Sequence, residues 1–284
     1  MKVITFKIYY SNLISKFFSE NLKNLICELK SNEKILKYFY KTSNEYGPGV
    51  ELFILVDNGI DINNLKLAIY DNINNFIRSN PSNEPIRDYR KPFKFYPNNS
   101  ISNIVVLEPT NVILKQFETL NPLSDIVCDL LIEENDPLDN SLKFTYNLYK
   151  SFGVQKSQVF EMVNYLYENN LLQLNNYLLN LFEEGNKINE IINLYNEDFE
   201  ERKEEYINYN NDLLANIYDS EIEFAGILSP LGRTKLNCNE QSFVNSKNVS
   251  DKAVEYINSF NNMLGIQLID QVNIAFIMHE SLKG

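Results

Sequence analysis

Tryptophan is absent from this chain, histidine occurs once, cysteine three times and glycine only nine times in 284 residues. Each scarcity removes a class of chemistry. A single histidine, His279, excludes His-rich zinc sites and argues against a Ser-His-Asp triad. It reads as structural, an imidazole near a helix end that meets the last carbonyls. Cys27, Cys128 and Cys238 are odd in number, far apart and match no metal-ligand spacing, so they read as free thiols of a cytoplasmic protein. The few glycines form no P-loop, no G-x-G-x-x-G at a helix start and no G-x-S-x-G elbow. "EYGPGVEL" is a turn between strands. The residues therefore point to no metal and no cofactor.

Long apolar runs are missing too. None approaches the roughly 20 residues that a membrane helix needs. The opening "MKVITFKIYYSNLISKFF" alternates in polarity and has no small-residue cleavage site, so it is expected to be mature structure rather than a signal peptide. Basic charge is in short supply: 26 Lys and Arg face 38 Asp and Glu, a net charge of −12. That balance disfavours nucleic acid, whose non-specific affinity rests on cations neutralising phosphates, and equally an anionic membrane surface. What is present is an ordinary globular composition, 44% hydrophobic and 13% aromatic, enough to build a core.

The pattern along the chain predicts an α+β fold. "VITFKIYY" alternates and is rich in β-branched and aromatic residues, as a strand requires. "NLISKFFSENLKNLICELKSNEKI" has helical spacing, and "KYFYKTSNEYGPGVELFILVD" reads strand, turn, strand. "DINNLKLAIYDNINNFIRSN" is a helix with Asp61 as its cap. "PSNEPIRDYRKPFKFYPNN" is a Pro-rich connection in which Pro97 confines any strand to an edge. From Thr110 the apolar stripes recur at about 3.6 residues, interrupted by the polar segment "EIEFAGILSPLGRTKLNCNEQSFVNSKNVS". "SDKAVEYINSFNNMLGIQLIDQVNIAFIMHESL" supplies the closing helices, with Ser250 as a cap for the first. The expectation is one domain over 1–284: a small mixed sheet with helices in 1–109, then a mainly helical part in 110–284.

Two of these stretches carry a resemblance. "ITFKIYY…ILKYFYKTSNEYGPGVELFILVD" and "YINSFNNMLGIQLIDQVNIAFIMHESL" resemble the opening and the ending of the lantibiotic dehydratase C-terminal domain, also called the thiopeptide-type bacteriocin biosynthesis domain. Members begin with a "WLYLKLY"-like strand and a "WFFIRYxDxxxHLRLR"-like strand pair, and end with an "LLHMHxNRLGI"-like step before an apolar helix. The order of elements corresponds over nearly the whole chain, although each motif is degenerate. Where glutamate-eliminating members have His-Leu-Arg-Leu-Arg, this chain reads Gly49-Val50-Glu51-Leu52-Phe53. Where they have His-Met-His-x-Asn-Arg, it reads Asn258-Ser259-Phe260-Asn261-Asn262-Met263. The base and cations that elimination needs have no counterpart at those positions.

The resemblance therefore implies the stand-alone branch, the thiopeptide pyridine synthases, which join two dehydroalanines of a leader-bearing peptide by a formal aza-(4+2) cycloaddition and close a macrocycle. Alignment of the two alkenes and neutral help with amide tautomerism meet most of that demand. On this reading Ser229, Arg233, Ser259, Asn262 and Tyr96 carry the chemistry, while Asn258 and Asn261 bind substrate. Ser229 and Arg233, from "SPLGRTKLN", are expected across one cleft from "NSFNN", with Tyr96 at its rim. The partner implied is a ribosomally made precursor peptide, docked by its leader on the N-terminal sheet, with other biosynthetic enzymes as further partners. The alternatives are a glutamate-eliminating partner of a split dehydratase and a non-catalytic leader-binding member. A further open reading takes the Ser259-Phe260-Asn261-Asn262 step as no more than the polar first turn of a core helix.

Overall fold

A computed structural model describes residues 1–10, 16–43, 49–82, 86–87, 95–96, 99–132, 136–181, 187–219 and 247–283. The chain folds into two compact units: Met1–Asn135 with Asn262–Gly265, and Asp136–Asn261 with Ile266–Gly284.

The first unit is built on a sheet of order β2-β3-β1-β6. Its strands are β1 (Lys2–Tyr9), β2 (Lys37–Ser43), β3 (Gly49–Val56) and β6 (Ser100–Leu107), with β4 (Ile86–Arg87) and β5 (Phe95–Tyr96) forming a separate pair. All the pairings are antiparallel, which corrects the expected mixed sheet. The reason is connectivity. β2 and β3 run in opposite directions, and β1 takes β3 and β6 as antiparallel neighbours on either side. Alternation puts Ile4, Phe6, Ile8, Leu52, Ile54, Tyr38 and Tyr40 on one face, each at most 2% exposed. Against the sheet lie a π-helical turn (Phe17–Leu22) running into α1 (Lys23–Ser31), then α2 (Ile62–Ser79) and α3 (Asn111–Ile132). The expected cap is made: Asp61 accepts from the backbone N–H groups of Asn63 and Asn64 at 3.1 and 3.2 Å.

Helix α3 runs through Pro122 and lies along the β2 edge strand. Asn121 Oδ1 accepts from the Tyr38 backbone N–H at 2.9 Å, so an edge donor that would otherwise seek water or another strand is used internally. Phe117 packs edge-on against Phe39 at 4.7 Å. Although α3 starts after residue 110, this packing makes it part of the sheet-bearing unit.

The second unit is helical: α4 (Pro137–Ser151), a 3-10 turn (Lys156–Gln158), α5 (Val159–Leu181), α6 (Lys187–Glu201), α7 (Lys203–Asp219), α8 (Lys247–Met263) and α9 (Leu268–Leu282). The fold class is α+β, as the periodicity implied. Two helices end on the same device. Gly153 and Gly265 have φ of +76° and +80°, a conformation that costs other L-residues steric energy. At α4 the Val154 N–H reaches the Tyr149 carbonyl at 3.0 Å, and at α8 the Ile266 N–H reaches the Asn261 carbonyl at 2.9 Å. Ser250 is not the cap of α8, because the helix begins at Lys247. Its hydroxyl lies 3.5 Å from Met162 Sδ.

Candidate functional site

The first group of interest lies in the first unit, on the sheet face opposite the apolar one. Register places Lys7 and Lys41 on either side of Glu51, so a cation-anion-cation row crosses β1, β3 and β2. Lys7 Nζ donates to Glu51 Oε1 at 2.9 Å. Two residues along each strand, on the same face, Phe39 and Phe53 stack at 4.5 Å and 13°, and the Lys41 ammonium sits 5.7 and 5.6 Å from the two ring centroids. Burial pushes the Lys41 ammonium below the usual lysine range, with Glu51 pulling it partly back. A cavity of about 260 Å³ opens on this face beside Thr5, Lys7, Glu51, Phe53 and Val105. Together these residues form a shallow, charged and aromatic surface able to orient an extended peptide or a carboxylate.

The second group lies in the second unit, on the last turns of α8. Phe260 is fully buried and stacks face to face on Phe144 at 3.8 Å and 4°. That anchors the helix and turns its neighbours to defined sides. Asn258 Nδ2 donates to Asn170 Oδ1 at 2.9 Å, from α8 to α5. Asn170 and Asn261 are 1% and 2% exposed. Yet Asn170 Nδ2, Asn258 Oδ1 and Asn261 Oδ1 are all buried without a hydrogen-bond partner among the described residues. Such groups are rare in native interiors and call for an internal water or a ligand. Among the described residues, one amide donor on α5 and two amide acceptors on α8 are thus left unpaired inside the second unit.

Ser259 is half-buried on α8. Asn262 is exposed, and its carbonyl, which belongs to the first unit, accepts from the Gly265 N–H at 3.1 Å and from the Thr42 hydroxyl. The Ser-Phe-Asn-Asn step thus closes α8 as a C-terminal turn, which corrects its reading as the first turn of a core helix. The Leu264-Gly265-Ile266 sequence is that helix's stop signal. Tyr96 is on β5, paired with Ile86 of β4. Ser229 and Arg233 lie outside the described residues. His279 is buried between the rings of Phe160 and Tyr167, each 5.3 Å away, with Nδ1 3.1 Å from Glu280 Oε1. Sequence reasoning missed Lys7, Lys41 and Asn170. The two lysines were accessible through strand alternation. Asn170 was not, because a polar residue at a helix position reads as surface.

No protein-family model matches the sequence, and no curated protein matches it. Among solved structures there is a clear likeness, to a pyridine synthase, TbtD, from thiomuracin biosynthesis. The TM-score is 0.72, over 99% of this chain and 97% of that one, at 10% sequence identity. This chain has that enzyme's fold. The likeness extends over both units, as the expected order of elements required. At this identity it carries over the path of the backbone and not the side chains. No described helix is long and apolar enough to cross a membrane. No cluster of metal-ligating side chains occurs among the described residues.

Proposed function

We propose that the protein is a cytoplasmic thiopeptide-type pyridine synthase acting on a leader-bearing, dehydrated precursor peptide. The observation that carries this reading is the pyridine-synthase fold along the full length of the chain. In the reaction, the amide beside one dehydroalanine tautomerises to its iminol, so that alkene and C=N form a four-atom partner. The second dehydroalanine supplies two atoms, and the cycloaddition closes the six-membered ring. The former amide oxygen leaves as water. The segment attached through nitrogen to the second alkene then leaves as an amide, which restores aromaticity.

The chain's own residues suit such a task. Asn170, Asn258 and Asn261 offer a neutral donor and two acceptors, which favour one amide tautomer without a strong base. Ser259 adds a neutral group on the same helix, and Ser229, Arg233, Asn262 and Tyr96 remain proposed contributors. Docking of the leader on the sheet is supported by the Phe53, Lys7 and Val105 surface. Incubation with a defined linear peptide containing two dehydroalanines tests the proposal. The expected product has lost water and released its leader as an amide. Unchanged peptide, despite measurable leader binding, would refute cyclisation.

One observation favours a second reading. Lys41, half-buried and with a lowered pKa next to Glu51, keeps cationic and basic character on the sheet where the sequence pattern had lost histidine and arginine. Glutamate elimination uses a base for the α-proton and cations for the departing carboxylate. A glutamylated peptide that gains alkenes on incubation would select this alternative.

A further inference from the structure

In the second unit, a cleft of about 630 Å³ opens between α4, α7 and α9. This size is typical of small-molecule pockets and well above that of a packing defect. Its floor is apolar, made by Leu142, Ile274 and Ile277, and Leu138 at the mouth is 45% exposed. The walls are acidic, with Asp136, Asp139, Glu205 and Asp270 against Arg202.

The wall charges are not equivalent. Asp136 is spent as the cap of α4, accepting from the Leu138 N–H at 3.0 Å. Asp139 is paired with Lys143 at 2.6 Å and also accepts from the Tyr209 hydroxyl. Arg202 is shared between Tyr206 and Asp198, the latter 3.9 Å away, with Glu205 also within its electrostatic reach. Glu205 on α7 and Asp270 on α9 make no ion pair among the described residues, and they stand on different walls of the cleft. The hydroxyls of Tyr206 and Tyr209 are held by Asp198 and Asp139, so the two tyrosines line the cleft chiefly with their rings. Ring faces and uncommitted carboxylates both attract a cation, and the floor attracts hydrocarbon. An anion would meet unfavourable charge on both sides.

We infer that this cleft binds a small organic cation, an ammonium or guanidinium group carried on an apolar body. The charged head lies between Glu205 and Asp270, and the body lies on Leu142, Ile274 and Ile277. This site is independent of the peptide chemistry proposed above. The charge and the hydrocarbon each contribute, so removing either weakens binding.

The test uses 4-phenylbutylammonium, with 4-phenylbutanol as its neutral analogue and 4-phenylbutyrate as its anionic one. Binding is followed by calorimetry and by the methyl resonances of Ile274 and Ile277. The expected result is saturable one-site binding of the cation, at least about tenfold tighter than the alcohol, with no binding of the carboxylate. Affinity falls as salt is raised. Glu205→Gln with Asp270→Asn should weaken the cation about tenfold, leave the alcohol unchanged and keep the thermal midpoint, because both carboxylates are exposed. Leu138→Ala should weaken cation and alcohol alike. Equal affinity for cation and alcohol, or undiminished binding by the double variant, would overturn the inference. So would the absence of isoleucine methyl shifts at millimolar ligand.

Discussion

Replacing Asn261 by Leu separates a binding role from a structural one. Asn261 is 2% exposed, and its Oδ1 is buried with no partner among the described residues. An unsatisfied buried acceptor costs roughly 1–3 kcal/mol. Leu has the same branching at Cγ, removes the acceptor and is a better helix former by a few tenths of a kcal/mol. Its extra bulk works the other way, and strain in a packed interior costs about 1–3 kcal/mol at worst. The two contributions nearly cancel, so stability is expected to stay within about 1 kcal/mol of the parent, equivalent to a shift of no more than some 2–4 °C in the thermal midpoint of a chain this size. Asn170→Leu is the contrasting variant. Asn170 Oδ1 holds the Asn258 Nδ2 donor at 2.9 Å, so its loss newly unpairs that donor and offsets the relief from removing the unpaired Asn170 Nδ2, and no gain in stability is expected. Urea unfolding, with m-values compared, reads both. Ring closure is measured in parallel and should fall at least tenfold for Asn261→Leu with leader binding unchanged. Destabilisation of Asn261→Leu by more than about 2 kcal/mol would show that the amide is a structural member, and parent-rate turnover would remove it from the site.

Lys41→Met should not destabilise the fold at pH 7, because the parent bears the cost of burying an ammonium; a marked loss of stability would contradict the desolvation argument. The pH dependence has a definite sign. Burial sets the folded pKa of Lys41 below its ordinary value of 10.5, so the unfolded chain binds the extra proton between those two values. The cost is therefore full below the folded pKa and relieved as pH rises through it, and the variant's relative stability should shrink between neutral pH and about pH 10.5. Gly265→Ala should cost about 1–2 kcal/mol, from the φ of +80° alone, since a Cβ there meets nothing within 4 Å. Gly59→Ala, equally open but without a positive φ, should be close to neutral in the same unfolding assay.

The sequence by itself determined the class of fold. The alternation of "VITFKIYY" and "VELFILV", the helical spacing after Thr110 and the Asp61 cap are local signals, and each corresponds to an element in place. Leu264-Gly265-Ile266 was visible as a motif because only glycine adopts that turn cheaply. The sequence also excluded metal and nucleotide signatures, which depend on residue types and short spacings. What it could not determine depends on which elements pack together. Lys7, Glu51 and Lys41 become one row only through strand register, across separations of up to 44 residues. Asn170 and Asn258 are 88 residues apart and meet because α5 and α8 pack side by side. Likewise, the committed and uncommitted carboxylates of the α4–α7–α9 cleft read identically in the sequence. Local propensity is set by a residue and its neighbours within a turn. A site is set by contacts between distant segments, and those contacts arise only once the core has chosen which faces to bury.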